Sequence, residues 1–283
     1  SIPQSMVIVG GGIIGCEMAC AYAAFGTKVT IVELMDSLLP MQDNWVSSRL
    51  KRYFKPLDIE ILTGVKVTSV QKTNGLAKVS LEDCEPLEAQ KVLIAVGRAA
   101  TCDQETIDNL DLQTEKSVIK VDDNFQTSAE NVYALGDVIG TTYLAHGATT
   151  EADIASAAIC KNKAEKLDYS LIPNVIYTFP EVASVGKTLK QCRQQGLDTS
   201  VGKGYFRANG LAVAHNDTDG EARVIVDKTS NKIAGITIVG SIATELIATA
   251  TALIGKGPET TKMTFAHPTL SEVLDDAIED AFA

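Results

Sequence analysis

The sequence predicts an α/β protein that opens with a Rossmann-like, dinucleotide-binding domain. Three observations predict it: an apolar run at residues 6–9, a glycine-rich turn directly after it, and a helix pattern at residues 16–25 that ends at Gly26. A second apolar run at residues 29–32 follows the helix. Strand, glycine turn, helix and strand in this order are typical of a nucleotide-binding βαβ unit.

The glycine turn is the candidate binding site for the pyrophosphate. Gly10 and Gly12 remove side chains where the strand must turn sharply, and Gly15 lets the helix pack close to the sheet. The helix N-terminus adds the positive end of a dipole. Glycine-rich turns also occur for tight packing alone, so the prediction depends on the flanking strand and helix. The residues assigned to the cofactor here are Gly10, Gly11, Gly12, Ile13, Ile14 and Gly15.

Glu33 ends the second apolar run, where this fold places a carboxylate that binds the adenosine ribose hydroxyls. The same carboxylate would repel a 2′-phosphate at roughly 4 Å, at a cost on the order of a few kcal/mol in a partly buried site. Residues 34–39 contain no Arg or Lys for that phosphate. NAD is therefore predicted over NADP. The alternative is a solvated carboxylate at the end of a strand.

Composition and charge exclude several classes of partner. The 283 residues suggest about two domains, and 45% hydrophobic content is ample for buried cores. A net charge of -11 argues against nucleic acid or an anionic membrane surface, since both need a basic face. No apolar run reaches the roughly 18 residues of a membrane span.

The cysteines and histidines do not predict a metal site. There are six cysteines and three histidines, with no C-x-x-C pattern. This cysteine usage fits a reducing compartment. Cys16 and Cys20 lie one helical turn apart beside small apolar residues, which favours a packing role.

The rest of the first domain is predicted to close near residue 100, after Gly97. A hairpin is indicated by the pair Asn74 and Gly75. Beyond residue 168, an α+β domain is predicted, with Asn231 at a hairpin tip. The predicted helices are residues 43–53, 243–254 and 270–282, and the predicted strands are residues 59–62, 66–71, 77–81, 91–95, 201–206, 222–227 and 233–239.

Two motifs in the middle of the chain resemble a known family. Thr127 followed by Tyr133-Ala134-Leu135-Gly136-Asp137 resembles the second flavin motif of the pyridine nucleotide-disulfide oxidoreductases. Residues 143–146 follow at the family's spacing. Without the resemblance, Gly136 and Asp137 would be interpreted as an ordinary turn.

The last third of the chain strengthens this resemblance. Residues 172–186 resemble the opening strand of the family's interface domain. Residues 266–272, Ala-His-Pro-Thr-Leu-Ser-Glu, resemble its C-terminal active-site motif, most closely in the dihydrolipoamide dehydrogenase branch. The motifs occur in the family's order along essentially the whole chain.

The resemblance implies roles for individual residues. It makes His267 the acid/base that exchanges a proton with a dithiol, and Glu272 the carboxylate that orients it. The spacing of Thr269 and Glu272 also matches a helix capping box, which leaves a purely structural role for Glu272 open. Pro268 disfavours a helical conformation at His267. The residues implied in cofactor binding are Glu17 beside nicotinamide and flavin, Val67 and Gly97 at the NAD site, Asp137 at the flavin ribityl chain, and Tyr143, Leu144, Ala145 and His146 at the isoalloxazine ring.

Three parts are expected: an NAD-binding domain at residues 1–100, a central segment of a split FAD domain at 101–168, and an interface domain at 169–283. A second glycine fingerprint and a redox C-x-x-x-x-C are absent from the sequence. We therefore expect a fragment, because the family begins with an FAD-binding domain that carries both.

Two functions remain open. The first is that of a parent dihydrolipoamide dehydrogenase, which passes electrons from dihydrolipoamide through a disulfide and FAD to NAD. The second is a catalytically silent module that binds NAD and dimerises. The resemblance implies a homodimer that serves the dihydrolipoamide-bearing component of a 2-oxo acid dehydrogenase or glycine cleavage complex. It implies the bacterial cytoplasm or, alternatively, the mitochondrial matrix. His267 is expected to serve the partner subunit's site.

Overall fold

A computed structural model describes residues 1–73, 75–160 and 166–283. These residues form two compact units, one made of residues 1–97 and 173–283 and the other of residues 98–172. The expected domain boundaries at residues 100 and 168 lie close to the ends of the second unit. The further division of the first unit into an NAD-binding and an interface domain stays a prediction.

The first part of the larger unit contains a parallel sheet of the predicted kind. Its strands follow the order β3-β2-β1-β7, and all neighbours are parallel. Helix α1 connects β1 to β2, as in a Rossmann-like fold. The elements are β1 (Ser5–Val9), α1 (Ile13–Ala24), β2 (Lys28–Glu33), α2 (Asn44–Phe54), β3 (Glu60–Thr63), β4 (Val67–Thr73), β5 (Leu76–Leu81), β6 (Cys84–Ala89) and β7 (Lys91–Ile94).

The parallel sheet is covered on both faces, which explains the uninterrupted apolar run of β1. Met6 and Ile8 lie in a core cluster with residues of α1 and α2. Val7 and Val9 point to the other face and pack with residues of the antiparallel sheet β4-β5-β6. Successive side chains of a strand alternate between faces, so a strand buried on both sides must be apolar throughout.

Two details of this part differ from the sequence prediction. Helix α1 begins at Ile13, before the predicted residue 16, because the glycine turn itself leads directly into the first helical turn. Strand β6 was not predicted, since its exposed Glu85 and Pro86 are unusual in a strand. Both are tolerated because β6 is the edge strand of its sheet. Of the predicted hairpin pair, Asn74 lies outside the described residues, and β4 and β5 pair on either side of it.

The second unit has a small core of its own. Phe125, Ile139 and Ala155 are buried together in it. Its elements are α3 (Gln104–Asn109), β8 (Thr114–Glu115), β9 (Val118–Ile119) and α4 (Ala145–Ile159). Helix α4 was not predicted from the sequence. Its buried stripe is Gly147, Glu151 and Ala155, so a carboxylate interrupts the apolar period by which such a helix is recognised.

The last part of the chain returns to the larger unit as an antiparallel sheet of order β10-β11-β14-β13-β12. The prediction of a hairpin tip at Asn231 is confirmed, since β13 and β14 pair on either side of it. The elements are β10 (Asn174–Ile176), β11 (Glu181–Gly186), α5 (Leu189–Gln194), β12 (Thr199–Tyr205), α6 (Gly210–Ala214), β13 (Glu221–Asp227), β14 (Lys232–Gly240), α7 (Ala243–Leu253), α8 (Pro258–Thr261) and α9 (Glu272–Phe282).

Helix α9 lies directly on the backbone of β12. A Cβ atom at Gly202 would lie 2.1 Å from the Ala277 carbonyl oxygen, and one at Gly204 would lie 2.0 Å from that of Val273. The two glycines therefore set the position of the C-terminal helix. In the described parts of the chain, no helix is both long and apolar enough to cross a bilayer.

Candidate functional site

The glycine turn owes part of its composition to packing. Gly10 has φ +108°, and a Cβ atom there would lie 2.4 Å from the Ala95 carbonyl oxygen. A Cβ atom at Gly15 would lie 1.9 Å from the Gly10 carbonyl oxygen. These two positions therefore require glycine for backbone conformation and close approach, even without a ligand.

Gly12 has no comparable structural reason to be glycine. Its φ is -73°, which other residues adopt, and a Cβ atom there would have nothing within 4 Å. Gly12 directly precedes α1, and among the described residues no hydrogen bond is donated by the backbone N–H of Gly12, Ile13 or Ile14. Open space beside free N–H groups at a helix N-terminus is the arrangement that receives a pyrophosphate. These residues fit a bound dinucleotide.

Glu33 lies against this turn at the end of β2. Its Oε2 accepts a hydrogen bond of 2.5 Å from the Gly11 N–H, and its Oε1 accepts one of 2.7 Å from the Met35 N–H. The residue is buried. The carboxylate is thus held at the mouth of the turn, where it can accept from ribose hydroxyls through its remaining lone pairs.

Val67 and Gly97 belong to the same unit as the glycine turn. Val67 packs against the cluster that contains Val9 and Val32. Gly97 is exposed, has φ +128° and follows β7, whose last residue Ile94 pairs with Val9. The carboxyl ends of β1 and β7 therefore share one edge, where ligands bind in such sheets.

Glu17 connects α1 to the last part of the chain. Its Oε1 accepts a hydrogen bond of 2.8 Å from the backbone N–H of Tyr177, which follows β10. The half-buried carboxylate is therefore held in place by the protein itself. Its expected location beside nicotinamide and flavin stays a prediction.

His267 and Glu272 form a hydrogen-bonded pair. His267 Nδ1 lies 2.9 Å from Glu272 Oε1, and the imidazole is 78% exposed while the carboxylate side chain is 25% exposed. A carboxylate only accepts, so Nδ1 carries a proton and Nε2 faces away with its lone pair when the ring is neutral. The second carboxylate oxygen accepts from the Thr269 N–H at 2.7 Å. That bond and the adjacent imidazole lower the pKa of Glu272, which keeps it ionised.

The capping-box interpretation of this segment is correct only in part. Glu272 accepts from the Thr269 N–H as a capping glutamate would. However, α9 begins at Glu272 instead of residue 270, and Ser271 precedes it without a side-chain cap. The Thr269 hydroxyl lies 2.8 Å from the Ala266 carbonyl oxygen and so does not cap the helix. Glu272 thus fixes the backbone at Thr269 through one carboxylate oxygen and orients the His267 imidazole through the other.

Asp137 is presented to solvent by a turn in the second unit. Gly136 has φ +73°, and its N–H donates a 2.6 Å hydrogen bond to Glu151 Oε2. The Asp137 carboxylate is 59% exposed and lies 3.7 Å from Arg98 Nη1, a weak surface pair. The side chain is therefore accessible to a further hydrogen-bond donor, and its expected contact with a flavin ribityl chain stays a prediction.

Glu151 is a site residue that sequence reasoning missed. It is fully buried in α4, and besides the Gly136 N–H it accepts from the Thr141 hydroxyl at 2.7 Å and the Tyr169 hydroxyl at 2.9 Å. It therefore fixes the turn that carries Asp137. The only signal was a carboxylate at helical spacing from Gly147 and Ala155, and this could not be interpreted without knowing that α4 exists.

The segment next to this turn leads into α4. Tyr143 has φ +54°, Leu144 is extended, and Ala145 and His146 form the first turn of the helix. Ala145 and His146 are exposed. The predicted contact of this segment with an isoalloxazine ring stays a prediction.

The two cysteines of α1, Cys16 and Cys20, are buried thiols. Burial, followed by the charges of Cys20 and Glu33, raises the pKa of Cys16 far above its usual range, and its thiol donates to the Gly11 carbonyl oxygen at 3.3 Å. Burial also raises the pKa of Cys20. A thiol held protonated neither attacks a disulfide nor binds a metal readily. In the described part of the chain, no group of three or more His, Cys, Asp or Glu could hold a metal ion.

Two family profiles match this chain, one over its first part and one over its last part. A family profile described as pyridine nucleotide-disulphide oxidoreductase matches residues 1–152, and the dimerisation domain of the same description matches residues 172–278.

Among curated proteins, a dihydrolipoyl dehydrogenase of Chlorobaculum tepidum is 38% identical over 287 residues, which cover 99% of this chain and 61% of that protein. One from Bacillus subtilis is 35% identical over 284 residues, covering 98% and 60%. The chain therefore spans about six tenths of the length of these relatives.

Solved structures show the same architecture. An HOCl-induced flavoprotein disulfide reductase from Escherichia coli superposes with a TM-score of 0.91 at 26% identity, covering 99% of this chain and 65% of that one. LpdA from Mycobacterium tuberculosis superposes with a TM-score of 0.91 at 22% identity, covering 99% and 62%. The second likeness concerns the fold alone.

Proposed function

We propose, since the chain belongs to the pyridine nucleotide-disulphide oxidoreductase family, that it is the NAD-binding and dimerising part of a dihydrolipoyl dehydrogenase. Membership confirms the resemblance inferred from the sequence motifs, and the family implies the use of NAD and FAD. The observation on which the proposal rests is the His267–Glu272 pair, an exposed imidazole oriented by an ionised carboxylate.

The proposed role of His267 follows from that geometry. With Nδ1–H held by Glu272, the Nε2 atom accepts a proton from a thiol of dihydrolipoamide, which leaves a thiolate. The adjacent carboxylate stabilises the imidazolium that results. In the reverse reaction, His267 returns this proton to the thiolate. In the longer protein, a redox disulfide would accept the electron pair of the dithiol and FAD would pass that pair to NAD, while the second thiol loses its proton as the lipoamide disulfide closes.

The proposed cofactor specificity rests on the glycine turn and Glu33. The N–H groups at the start of α1 would bind the pyrophosphate of NAD, and Glu33 would accept from the ribose hydroxyls. The flavin contacts would be Asp137 and residues 143–146. Glu17, Val67 and Gly97 complete the proposed set. The longer enzyme that contains this chain would form a homodimer and act on a lipoyl-bearing partner protein.

We propose in addition that this chain by itself is a catalytically silent NAD-binding module. Its sequence contains one glycine fingerprint and no C-x-x-x-x-C. The two cysteines of α1 cannot replace a redox disulfide, because burial keeps both thiols protonated. NAD binding and catalysis are therefore separable properties, and each has its own test.

The first test measures binding and turnover on the purified chain. Titration should show preferential binding of NADH over NADPH, no stoichiometric flavin absorbance, and no dihydrolipoamide-dependent reduction of NAD. Measurable turnover by the chain alone would contradict its catalytic silence, and equal affinity for NADPH would contradict the role of Glu33.

The second test addresses His267 in a longer protein that contains this chain. Heterodimers formed from a His267→Gln subunit and a subunit without its redox cysteines should regain activity if the histidine serves the partner subunit. Mixed dimers that form but stay inactive would confine catalysis to one chain. In a control mixture, a subunit with Glu245→Gln, at an exposed position in α7, replaces the His267→Gln subunit. This mixture measures whether subunits exchange between dimers.

A further inference from the structure

A cavity lined by four arginines lies in the larger unit, and none of its lining residues belongs to the proposed cofactor or active site. Its volume is about 390 Å³. It is formed by α2 together with β13 and the segment after β12. The lining residues are Trp45, Ser48, Arg49, Arg52, Arg207 and Arg223. Such a concentration of cations is unexpected in a chain with a net charge of -11.

The positive charge of this arginine cavity exceeds the negative charge that faces it. Glu221 is buried and pairs with both Arg49 and Arg223, with Arg223 Nε 2.6 Å from Glu221 Oε1. Among the described residues, no carboxylate oxygen lies within 4.0 Å of the charged groups of Arg52 or Arg207. One carboxylate therefore balances four guanidinium groups.

The neighbouring titratable groups do not remove this excess. Burial is the main cause of the raised pKa of the Tyr53 hydroxyl, and the negative charges of Asp219 and Glu221 raise it further. Counting Asp219 in full still leaves two unbalanced positive charges. The Tyr53 hydroxyl is itself buried without a hydrogen-bond partner among the described residues.

Three of the four guanidinium groups are held in place before any ligand arrives. The Cζ atom of Arg223 lies 4.1 Å from the centre of the Trp45 ring, and that of Arg207 lies 4.4 Å from the centre of the Tyr205 ring. Arg49 is anchored by Glu221. Stacked and paired arginines lose little conformational entropy on binding, which favours affinity for an anion.

We propose that the arginine cavity binds a small anion with two or more phosphoryl groups. Planar guanidinium groups bind phosphoryl oxygens through two parallel hydrogen bonds, so several of them match several phosphoryl groups. The volume lies within the range of small-molecule sites. Inorganic pyrophosphate and a nucleoside diphosphate share this chemistry.

Trp45 provides a direct readout, because it is the single tryptophan of the chain. Its fluorescence would be titrated with inorganic pyrophosphate and separately with ADP, on protein saturated with NAD so that the glycine turn is occupied. Binding should change the fluorescence. Tighter binding of ADP would assign the nucleotide as the source, and equal binding would assign the phosphoryl groups alone; both outcomes support the proposal.

A pair of matched variants separates the site from general charge. Arg52→Ala/Arg207→Ala should weaken binding at least tenfold, and it leaves the Glu221 pairs intact. Lys190→Ala/Arg193→Ala removes the same charge from exposed positions at α5 and should change the affinity less than twofold. Unchanged NAD affinity and thermal unfolding would verify that both variants are folded.

Three results would overturn the proposal. The first is the absence of a fluorescence change with millimolar pyrophosphate and ADP. The second is an equal loss of affinity in both double variants. The third is binding that occurs only without NAD, which would place the anion at the glycine turn. Each would leave the proposed dehydrogenase function unaffected.

Discussion

The carboxylate oxygen Oε2 of Glu33 lies 2.5 Å from the backbone nitrogen of Gly11, although 22 residues separate them in the chain. The bond joins the end of β2 to the glycine turn after β1. Glu33 thus helps to shape the turn, in addition to its proposed role in binding the ribose. Its replacement should affect both the order of the turn and the choice of nucleotide.

Glu33→Gln should reduce the preference for NADH over NADPH by about 10- to 100-fold, since a hydrogen bond to a charged group contributes about 1.5–3 kcal/mol. The amide no longer repels a 2′-phosphate. Fluorescence titration with both nucleotides measures the ratio. Glu60→Gln on the adjacent strand β3 is the control and should leave it unchanged. An unaltered ratio in Glu33→Gln would refute the assignment.

Two glycines of the turn should respond differently to alanine. Gly15→Ala should lower the melting temperature by several degrees, because its Cβ would lie 1.9 Å from the Gly10 carbonyl oxygen and such overpacking costs about 1–3 kcal/mol. Gly12→Ala should melt close to wild type but bind NADH at least tenfold more weakly, since its Cβ occupies space left for the ligand. Thermal unfolding and NADH titration distinguish them. Unimpaired NADH binding by Gly12→Ala would contradict this explanation.

The lowered pKa of Glu272 makes one contribution to stability dependent on pH. A carboxylate whose pKa is lowered on folding stabilises the protein above its ordinary value of 4.5, and this contribution disappears as the pH falls through the lowered folded value. Glu272→Gln should therefore melt below wild type at neutral pH, and the difference should shrink on acidification. Melting curves between pH 7 and strongly acidic pH provide the measurement. Glu245→Gln, at an exposed position in α7, is the matched control variant.

Glu151→Ala should destabilise the second unit by at least about 2–3 kcal/mol, because donors at Gly136, Thr141 and Tyr169 lose a buried acceptor. Hydrogen exchange at the Gly136 amide should accelerate, which reports on the turn that carries Asp137. Glu130→Ala removes an exposed carboxylate of the same unit and is the control. Unchanged exchange at Gly136 would show that Glu151 does not hold the turn.

The Tyr169 hydroxyl should lose its proton at a higher pH than an ordinary tyrosine. Burial, together with the hydrogen bond to Glu151, raises its pKa to about 12 from the ordinary value of 10.0. Because the folded value is raised, the stabilisation is complete below pH 10 and is lost as the pH rises through about 12. Difference absorbance between wild type and Tyr169→Phe isolates this phenol from the other tyrosines. A midpoint near 10 would contradict both the burial of the phenol and its hydrogen bond to Glu151 in solution.

The elements with local signals could be inferred from the order of the amino acids. The spacing of glycines and of apolar residues predicts the glycine turn, the apolar runs of β1 and β2 and the amphipathic helix α9. The pairing of His267 with Glu272 is also local, since five residues separate them. The family resemblance depended on short motifs of the same kind, and it too could be inferred from the sequence.

Relationships between residues that are distant in the chain depend on the fold and could not be inferred from the sequence. The bond from Gly136 to Glu151 depends on α4, whose buried carboxylate interrupts the apolar pattern that would have predicted the helix. The arginine cavity brings Arg49 to Glu221 across 172 residues. A sequence does not distinguish an exposed arginine from one that pairs with a carboxylate. The two differ only in the residues that the fold places beside them.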